Sequence, residues 1–484
     1  MINVSAFALR DCDFVGNYFM NRTGGAYGGA LHVLNSSGVV SNTFFRSNTV
    51  IGSYSVGYGG AINVTGGSVA LRDITLIANN SYGQWASETR WYGCGGGISF
   101  NGGSHSLSNA VLFLNETQRH IQLTATEGGG IYVFNNASVA ISHATIAGHS
   151  SDGLYVAAGN VTLRNSILAN NYPDIGGGGA IGAKQAALTL SNSTFAGNTS
   201  NNNSSGGGAI LTHSTVGTIS DCVFSNNVVN AQTGPAGHNR AVSGGALHLG
   251  RSSFAIRDCL FIGNKAIAHK DKSSAGGALF YCDGRVSIRN SIFASNHITN
   301  NSNVVTLMGA AVYQHNVSFL SSARKLSLEN CTIVGNTSDG ITGNGVYGNN
   351  NYMELVNTIL LSNQPHDFTN LTAVAFSHCR ADRLISGERG NITADPLLIN
   401  PAGGNFGLRT MGGQYTPGGR VVRYDANSPC IDGGTNLNWM AAVTDLRGFA
   451  RLAHGLPTSG GKPRVDMGAI EVHIPRSGTT MIVQ

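Results

Sequence analysis

The sequence predicts an all-β protein, a right-handed parallel β-helix of about twelve coils followed by a C-terminal capping region. Three observations carry this. A small-small-small-aliphatic run, as in Gly28-Gly29-Ala30-Leu31, Gly59-Gly60-Ala61-Ile62 and Gly244-Gly245-Ala246-Leu247, alternates along the chain with Asn/Asp-x-x-apolar-x-x-Asn. The step from the aliphatic residue to the apolar centre is 14 residues in nearly every copy, as from Leu31 to Phe45 and from Leu279 to Phe293. Only the return path varies, from 8 residues (Ile146 to Leu154) to 23 (Phe224 to Leu247). A fixed half stacks coil on coil, and an elastic half carries loops.

Each element of the coil follows from local pattern. The shortest complete coil, Ile146 to Leu168, is 22 residues, too short for two packed helices, and its period is two. Val161-Thr162-Leu163-Arg164 alternates inward apolar with outward polar residues, then bends at Asn165. The strand opened by the Gly-Gly-Ala run turns Leu31 and Val33, Ile62 and Val64, and Leu247 and Leu249 inward. Right-handedness follows from the chirality of parallel crossovers. The closing residues Asn48, Asn79, Asn115, Asn171, Asn198, Asn227, Asn264, Asn296, Asn336 and Asn363, preceded by Asn17, are expected to form a structural ladder, with His149 taking the place in one coil. Asn tolerates a left-handed bend, and its amide can bond the copies above and below. Residues 1–365 are thus read as repeats and 366–484 as a cap, where the repeat stops and Pro and Gly rise. Counting back 14 residues from Phe14 passes Met1, so upstream sequence is expected to be missing.

The 484 residues include 67 Gly, with only 11% charged and 41% hydrophobic residues, and the strict apolar period argues against disorder. A net charge of +5 with dispersed Lys and Arg gives no nucleic-acid or membrane patch, and no apolar run reaches transmembrane length. Cys12, Cys222, Cys259 and Cys331 stand two residues before the apolar centre, where other coils carry Ser166, Ser193, Ser291 or Thr358. They read as small inward residues, and parallel strand spacing suits a Cys222–Cys259 disulfide poorly. Cys379 and Cys430 are the better disulfide candidates in an oxidising compartment.

Over residues 1–365 the paired Gly-Gly-Ala-Ile and Phe-x-x-Asn motifs resemble the repeats of chlamydial polymorphic outer membrane proteins, a likeness that implies an exported surface β-helix associated with adhesion. The membrane-barrel alternation that closes that family is not seen in residues 366–484. This part is instead similar to the choice-of-anchor Q domain of secreted bacterial β-helix proteins. Its motifs occur in order: Gly390-Asn391-Ile392-Thr393-Ala394-Asp395-Pro396-Leu397, Ser428-Pro429-Cys430-Ile431-Asp432-Gly433-Gly434, Thr444-Asp445-Leu446-Arg447-Gly448-Phe449 and Val465-Asp466-Met467-Gly468-Ala469-Ile470-Glu471. That resemblance implies export.

Functional residues are sparse. The position after each inward aliphatic points out and reads His32, Asn63, Ser99, Tyr132, Tyr155, Gly182, Leu211, His248, Phe280, Tyr313, Tyr347. Its aromatic members, Tyr132, Tyr155, His248, Phe280, Tyr313 and Tyr347, form either a stacking platform for sugar rings or a column that covers itself. Trp85, Trp91 and Trp439 lie elsewhere. A second outward face, Val223/Ser225, Leu260/Ile262, Ile292/Ala294, Thr332/Val334 and Ile359/Leu361, is free of charge. It is either an interaction strip or a surface lying under long loops. Glu116, Asp152, Asp174, Asp283, Glu329 and Asp339 are scattered, so no catalytic constellation is assigned. Asp432, Asp445, Asp466 and Glu471 are expected to pair with Arg447, Arg451 or Arg464 rather than to hold Ca²⁺. No cofactor or metal is expected. The favoured reading is adhesin-like binding of a glycan or surface partner, with a polysaccharide lyase or glycoside hydrolase as first alternative and an inert stalk as second.

Overall fold

The computed structural model describes all residues except 54, 85–92, 119–127, 174–176, 202–205, 231–241, 269–273, 301–306, 316–324, 341–344, 349–352, 416–419, 453–462 and 475–484. Trp85, Trp91 and Asp174 therefore lie outside the described residues.

The chain winds as a right-handed parallel β-helix with three faces, as expected. One face is a sheet of twelve parallel strands running from Leu31–Leu34 to Phe368–Thr369, most of them opened by a run of small residues such as Gly-Gly-Ala. The largest sheet carries two files separated by a left-handed corner, among them Val216–Ser220 and Val223–Ser225 of one coil. The third face begins after the closing Asn, as in Thr49–Ser53 and Val228–Asn230. Register is strict: Phe224 pairs with Phe261, and Phe261 with Phe293. Phe195, Phe224, Phe261 and Phe293 stack through the interior at centroid separations of 4.7, 4.9 and 4.5 Å, with ring planes within 6°. One continuous core of inward aliphatics runs from Leu31 to Leu384. No coil closes that core alone, so stability comes from stacking.

Two corners shape each coil. At the first, Asn42, Asp73, Asn165 and Asn290 are left-handed, with φ of 48°, 52°, 52° and 48°. At the second, the left-handed residue is the one before the ladder Asn, for example Ser47, Ala78 and Gly197, whereas the ladder Asn is absent from the positive-φ residues. The sequence reading gave the bend to the ladder residue itself; its neighbour makes the bend, leaving the Asn side chain to point inward.

The ladder is continuous and buried. The backbone N–H and Nδ2 of each Asn donate to Oδ1 of the next: Asn48 to Asn79 at 3.0 and 2.9 Å, and Asn264 to Asn296 at 3.0 and 2.9 Å. The second Nδ2 hydrogen reaches a backbone carbonyl of the neighbouring coil, as from Asn264 to Phe224 at 2.9 Å. The last rung is Asp367, whose Oδ1 accepts from Asn363 N and Nδ2 at 3.2 and 2.9 Å.

His149 fits the file because its neutral Nδ1 replaces an amide oxygen and accepts from Asn115 N–H at 3.0 Å. Complete burial lowers its pKa to about 4, against an ordinary value of 6.5. The sign follows. The folded state prefers neutral His149, so its contribution is complete above pH 6.5, shrinks as pH falls, and is gone below about 4. The difference in denaturation midpoint between the parent and a variant lacking the imidazole should open across that window. His149→Asn, which restores the majority rung, should recover up to about 3 kcal/mol at pH 4. An unchanged acid slope in the variant would reject this assignment. His248, lowered to about 4 by burial, and His32, His105, His315 and His378, also lowered, act in the same direction, whereas the raised carboxyls Asp367, Asp466 and Glu471 act in the opposite one.

The helix outlasts residue 365. Val356 pairs with Ser377, and Arg380 bridges both Ile359 and Ile392 in parallel. Leu371, Phe376, Ala381 and Leu384 close the end of the interior. The following segment does not stay at that end. It runs back along the flank of the preceding coils, where Leu398, Phe406, Ile431, Met467, Ala469 and Val472 bury Ile292, Ala294, Val334 and Ile359.

Candidate functional site

The Gly-Gly-Ala run exists because the backbone has no room there. Gly59 is left-handed (φ 69°), and a Cβ on Gly60 would lie 2.1 Å from the Gly96 carbonyl oxygen of the next coil. This holds the outward column in strict vertical order: Tyr132 over Tyr155, Tyr155 over Gly182, Gly182 over Leu211, and on through His248, Phe280, Tyr313 and Tyr347.

The column is less open than its outward direction implied. Tyr132, His248, Phe280 and Tyr313 are all buried. Residues just ahead of the Gly-Gly run fold against them: Val56, Tyr58 and Cys94 against Tyr132, and Ala275 and Met308 against Phe280 and Tyr313. The rings also cover one another, with centroids 6.0 Å apart for Tyr132–Tyr155, 4.5 Å for His248–Phe280 and 5.3 Å for Tyr313–Tyr347. Only Tyr155 and Tyr347 remain half-buried. A long open platform is thus corrected to two self-stacked runs with a break between them. At the break, Gly182 leaves a notch of about 160 Å³ lined by Tyr155, Lys184, Leu211, Thr212, His213 and His248. Sequence reading placed Gly182 in the column without seeing that a missing ring makes a cavity.

The second outward face is covered from Ile292 to Ile359, but by the C-terminal segment rather than by long loops. Docking uses the corner amides as well as apolar burial. Asn290 Nδ2 donates to Thr444 O at 3.2 Å, Asn330 Nδ2 to Asp466 O at 3.1 Å, and Asn357 Nδ2 to Thr435 O at 2.9 Å. Arg451 locks the contact. It is fully buried, pairs with Glu471, and donates to Asn290 Oδ1 at 2.9 Å and Gly468 O at 3.0 Å.

The acidic residues of this segment are spent on structure. Asp445 accepts from the N–H groups of Arg447, Phe449 and Glu471 at 2.8–2.9 Å. Asp466 accepts from Asp432 and Val472 N–H at 2.7 Å. Burial pushes Asp466 up to about 7, and burial together with the Asp466 charge raises Glu471. Arg464 donates to Gly434 O at 3.5 Å. No group of three or more metal-ligating side chains occurs among the described residues. Cys379 and Cys430 are free thiols, which corrects the proposed disulfide. Cys379 sits in the inward file, where Thr358 N–H donates to its Sγ at 3.4 Å, and burial pushes both thiols up to about 12. Cys222 and Cys259 are likewise free.

Where the docked segment meets the solenoid, a groove of about 580 Å³ opens between Asp221, Arg257 and Asp258 on one wall and Thr444 to Leu446 on the other. The Arg257 guanidinium sits between the two carboxylates, 2.6 Å from Asp258 and 3.7 Å from Asp221. The carboxylates Glu116, Asp283 and Asp339 do not join it. No helix among the described residues is long and apolar enough to cross a membrane.

Comparison with known proteins agrees with this geometry. Residues 96–318 match the family model described as a right handed beta helix region. No curated protein and no solved structure matches the chain. The protein is a right-handed parallel β-helix repeat protein.

Proposed function

We propose that the protein is an exported, surface-associated β-helix that binds a glycan in an adhesin-like manner, with the notch over Gly182 as the recognition point. The observation that carries this reading is the break in the ring column at Gly182 and Leu211. Tyr155 offers a half-exposed aromatic face for the C–H face of a sugar, and the exposed Lys184 and His213 supply polar groups around it. The likeness of the repeats to polymorphic outer membrane proteins, and of the C-terminal motifs to the choice-of-anchor Q domain, supports export and surface placement. A glycan array probed with the parent chain should give saturable hits. Tyr155→Ala should weaken them about three- to tenfold, the scale of one lost aromatic contact. Tyr313→Ala, at a buried ring, is a control for indirect effects. An array on which the parent binds nothing would remove the reading.

One observation favours hydrolysis or elimination on an extended polysaccharide: two carboxylates and a guanidinium share the groove at Asp221, Arg257 and Asp258. Both carboxylates face the same cation, which leaves no free acid–base pair of the kind glycosidic cleavage uses. Incubating the parent with the array's polysaccharides and assaying released reducing ends separates the readings. Release that disappears in Asp258→Asn would establish the enzyme, and silence in both assays would leave a spacer.

A further inference from the structure

The surface that the C-terminal segment covers does not stop where the segment stops. The same outward file continues toward the N-terminus through Thr194, Ile167, Thr145 and Val111, paired coil by coil. In its covered part Ile292 and Ile359 are 2% and 1% exposed. In its open part Val111, Phe113 and Leu114 are 43%, 42% and 40% exposed on one coil and Ile167 is 48% exposed two coils on, with half-buried Thr145 and Ala147 on the coil between and Ala169 and Ala196 beside and beyond Ile167. Phe113 and Leu114 lean over Gly148, where a Cβ would meet them at 3.1 and 3.2 Å. This is an uncharged, largely aliphatic strip in line with the covered one, crossed only by Thr145.

The corner amides beside the file change state in the same way. Asn290, Asn330 and Asn357 are buried under the segment, whereas Asn109, His143, Asn165 and Asn192 are exposed. An amide carries two N–H groups. Where the file is covered, one serves the corner column and the other serves the docked chain: Asn357 Nδ2 donates to Asn330 Oδ1 at 3.1 Å and to Thr435 O at 2.9 Å. Asn290 likewise donates to Asp258 Oδ1 and Thr444 O, both at 3.2 Å. In the open coils the column bond is made, with Asn192 donating to Asn165 Oδ1 at 2.7 Å and Asn165 paired with His143 Nε2 at 3.2 Å.

We infer that the open stretch of this flank, from Val111 to Asn192, is a docking site for an extended polypeptide of a partner chain. The partner would place aliphatic side chains at alternate positions over Val111, Phe113 and Ile167 and its backbone carbonyls on the corner amides. The occupant is identified by continuity, because the same face is already filled lower down by this kind of segment. There Met467, Ala469 and Ile470 meet the strip, while Asp466 and Gly468 carbonyls accept from Asn330. A sugar chain would meet the corner amides but leave the aliphatic strip in water. This site lies on a different face from the Gly182 notch and does not depend on it.

The probe is a synthetic peptide with the sequence of residues 463–474, labelled and titrated against the full chain by fluorescence anisotropy. Saturable one-to-one binding is expected, because the chain's own lower site is occupied. Phe113→Lys combined with Ile167→Lys, both at exposed positions, should weaken it at least about tenfold with an unchanged melting temperature, and Asn192→Ala should weaken it about threefold. Absence of saturable binding would overturn the inference. So would equal binding by the double variant, since the peptide would then be exchanging with the chain's own segment.

Discussion

Arg451→Ala is expected to destabilise the docked C-terminal segment by about 3–5 kcal/mol, the usual cost of leaving one partner of a buried ion pair behind. Glu471 is 1% exposed, and burial already raises its pKa, so without the guanidinium it must either ionise alone or take up a proton. The substitution also strips the hydrogen bond to Asn290 Oδ1, which ties the segment to the solenoid, and the one to Gly468 O, which holds the segment together. The segment should therefore become sensitive to limited proteolysis before the solenoid core unfolds, giving two transitions in urea in place of one. Removing both charges, as in Arg451→Met with Glu471→Met, should recover most of the loss, because two apolar groups of similar size bury without desolvating an ion. A single-variant cost below about 1 kcal/mol would show that apolar burial and the corner amides hold the segment without the ion pair.

The difference between this lock and the solenoid shows what the sequence could and could not disclose. The coils were legible because each repeats a chemical demand at fixed spacing: an inward Phe261 requires a Phe293 above it, and an Asn264 requires an Asn296. Stacking turns that repetition into register. The C-terminal segment occurs once, so nothing in its pattern distinguished lying across the end from lying along the side. Its clue was on the other partner, in the uncharged file through Ile292, Thr332 and Ile359, whose cover was sought in loops of the repeats. The acidic residues were correctly expected near Arg447 and Arg451, yet the role of Asn290 as Arg451's third contact was hidden by 161 residues of separation. The aromatic column was legible in position and not in exposure. Sequence alternation gives the direction of Phe280 but not what Ala275 and Met308 lay over it. Cys379 was misread because its neighbours in the file lie one coil away, where Thr358 shows that the slot wants a small inward atom rather than a bridge.

Asn264→Ala is expected to cost about 3–6 kcal/mol, since two or three buried polar groups lose their partners at about 1–3 kcal/mol each. The N–H and one Nδ2 hydrogen of Asn227, which donate to Asn264 Oδ1 at 3.1 and 2.9 Å, would lose their acceptor, and the Phe224 carbonyl that accepts at 2.9 Å would lose its side-chain donor. Asn17→Ala, at the exposed first rung, removes only the Nδ2 donor to Asn48 Oδ1, leaving the backbone N–H donor in place, and should cost below about 1 kcal/mol. The contrast in urea midpoint between the two variants is the measurement, and equal losses would refute a position-dependent ladder. Asn264→Asp is a sharper test. An ionised Asp keeps the acceptor for Asn227 but has no donor for Phe224 O, and it sets a second oxygen against Asn296 Oδ1. Each interior Asn of this run points its N–H and one Nδ2 hydrogen to the following coil and the other Nδ2 hydrogen back to a carbonyl of the preceding one, so an acceptor without donors fits only at the end of the file. That place is Asp367. It takes both hydrogens of Asn363 on one oxygen and turns the other to Arg380 at 3.2 Å and to the Asp382 N–H at 3.0 Å. The same carboxylate that ends the file would break it at any rung within, which is why the interior positions are amides or, at His149, a neutral imidazole.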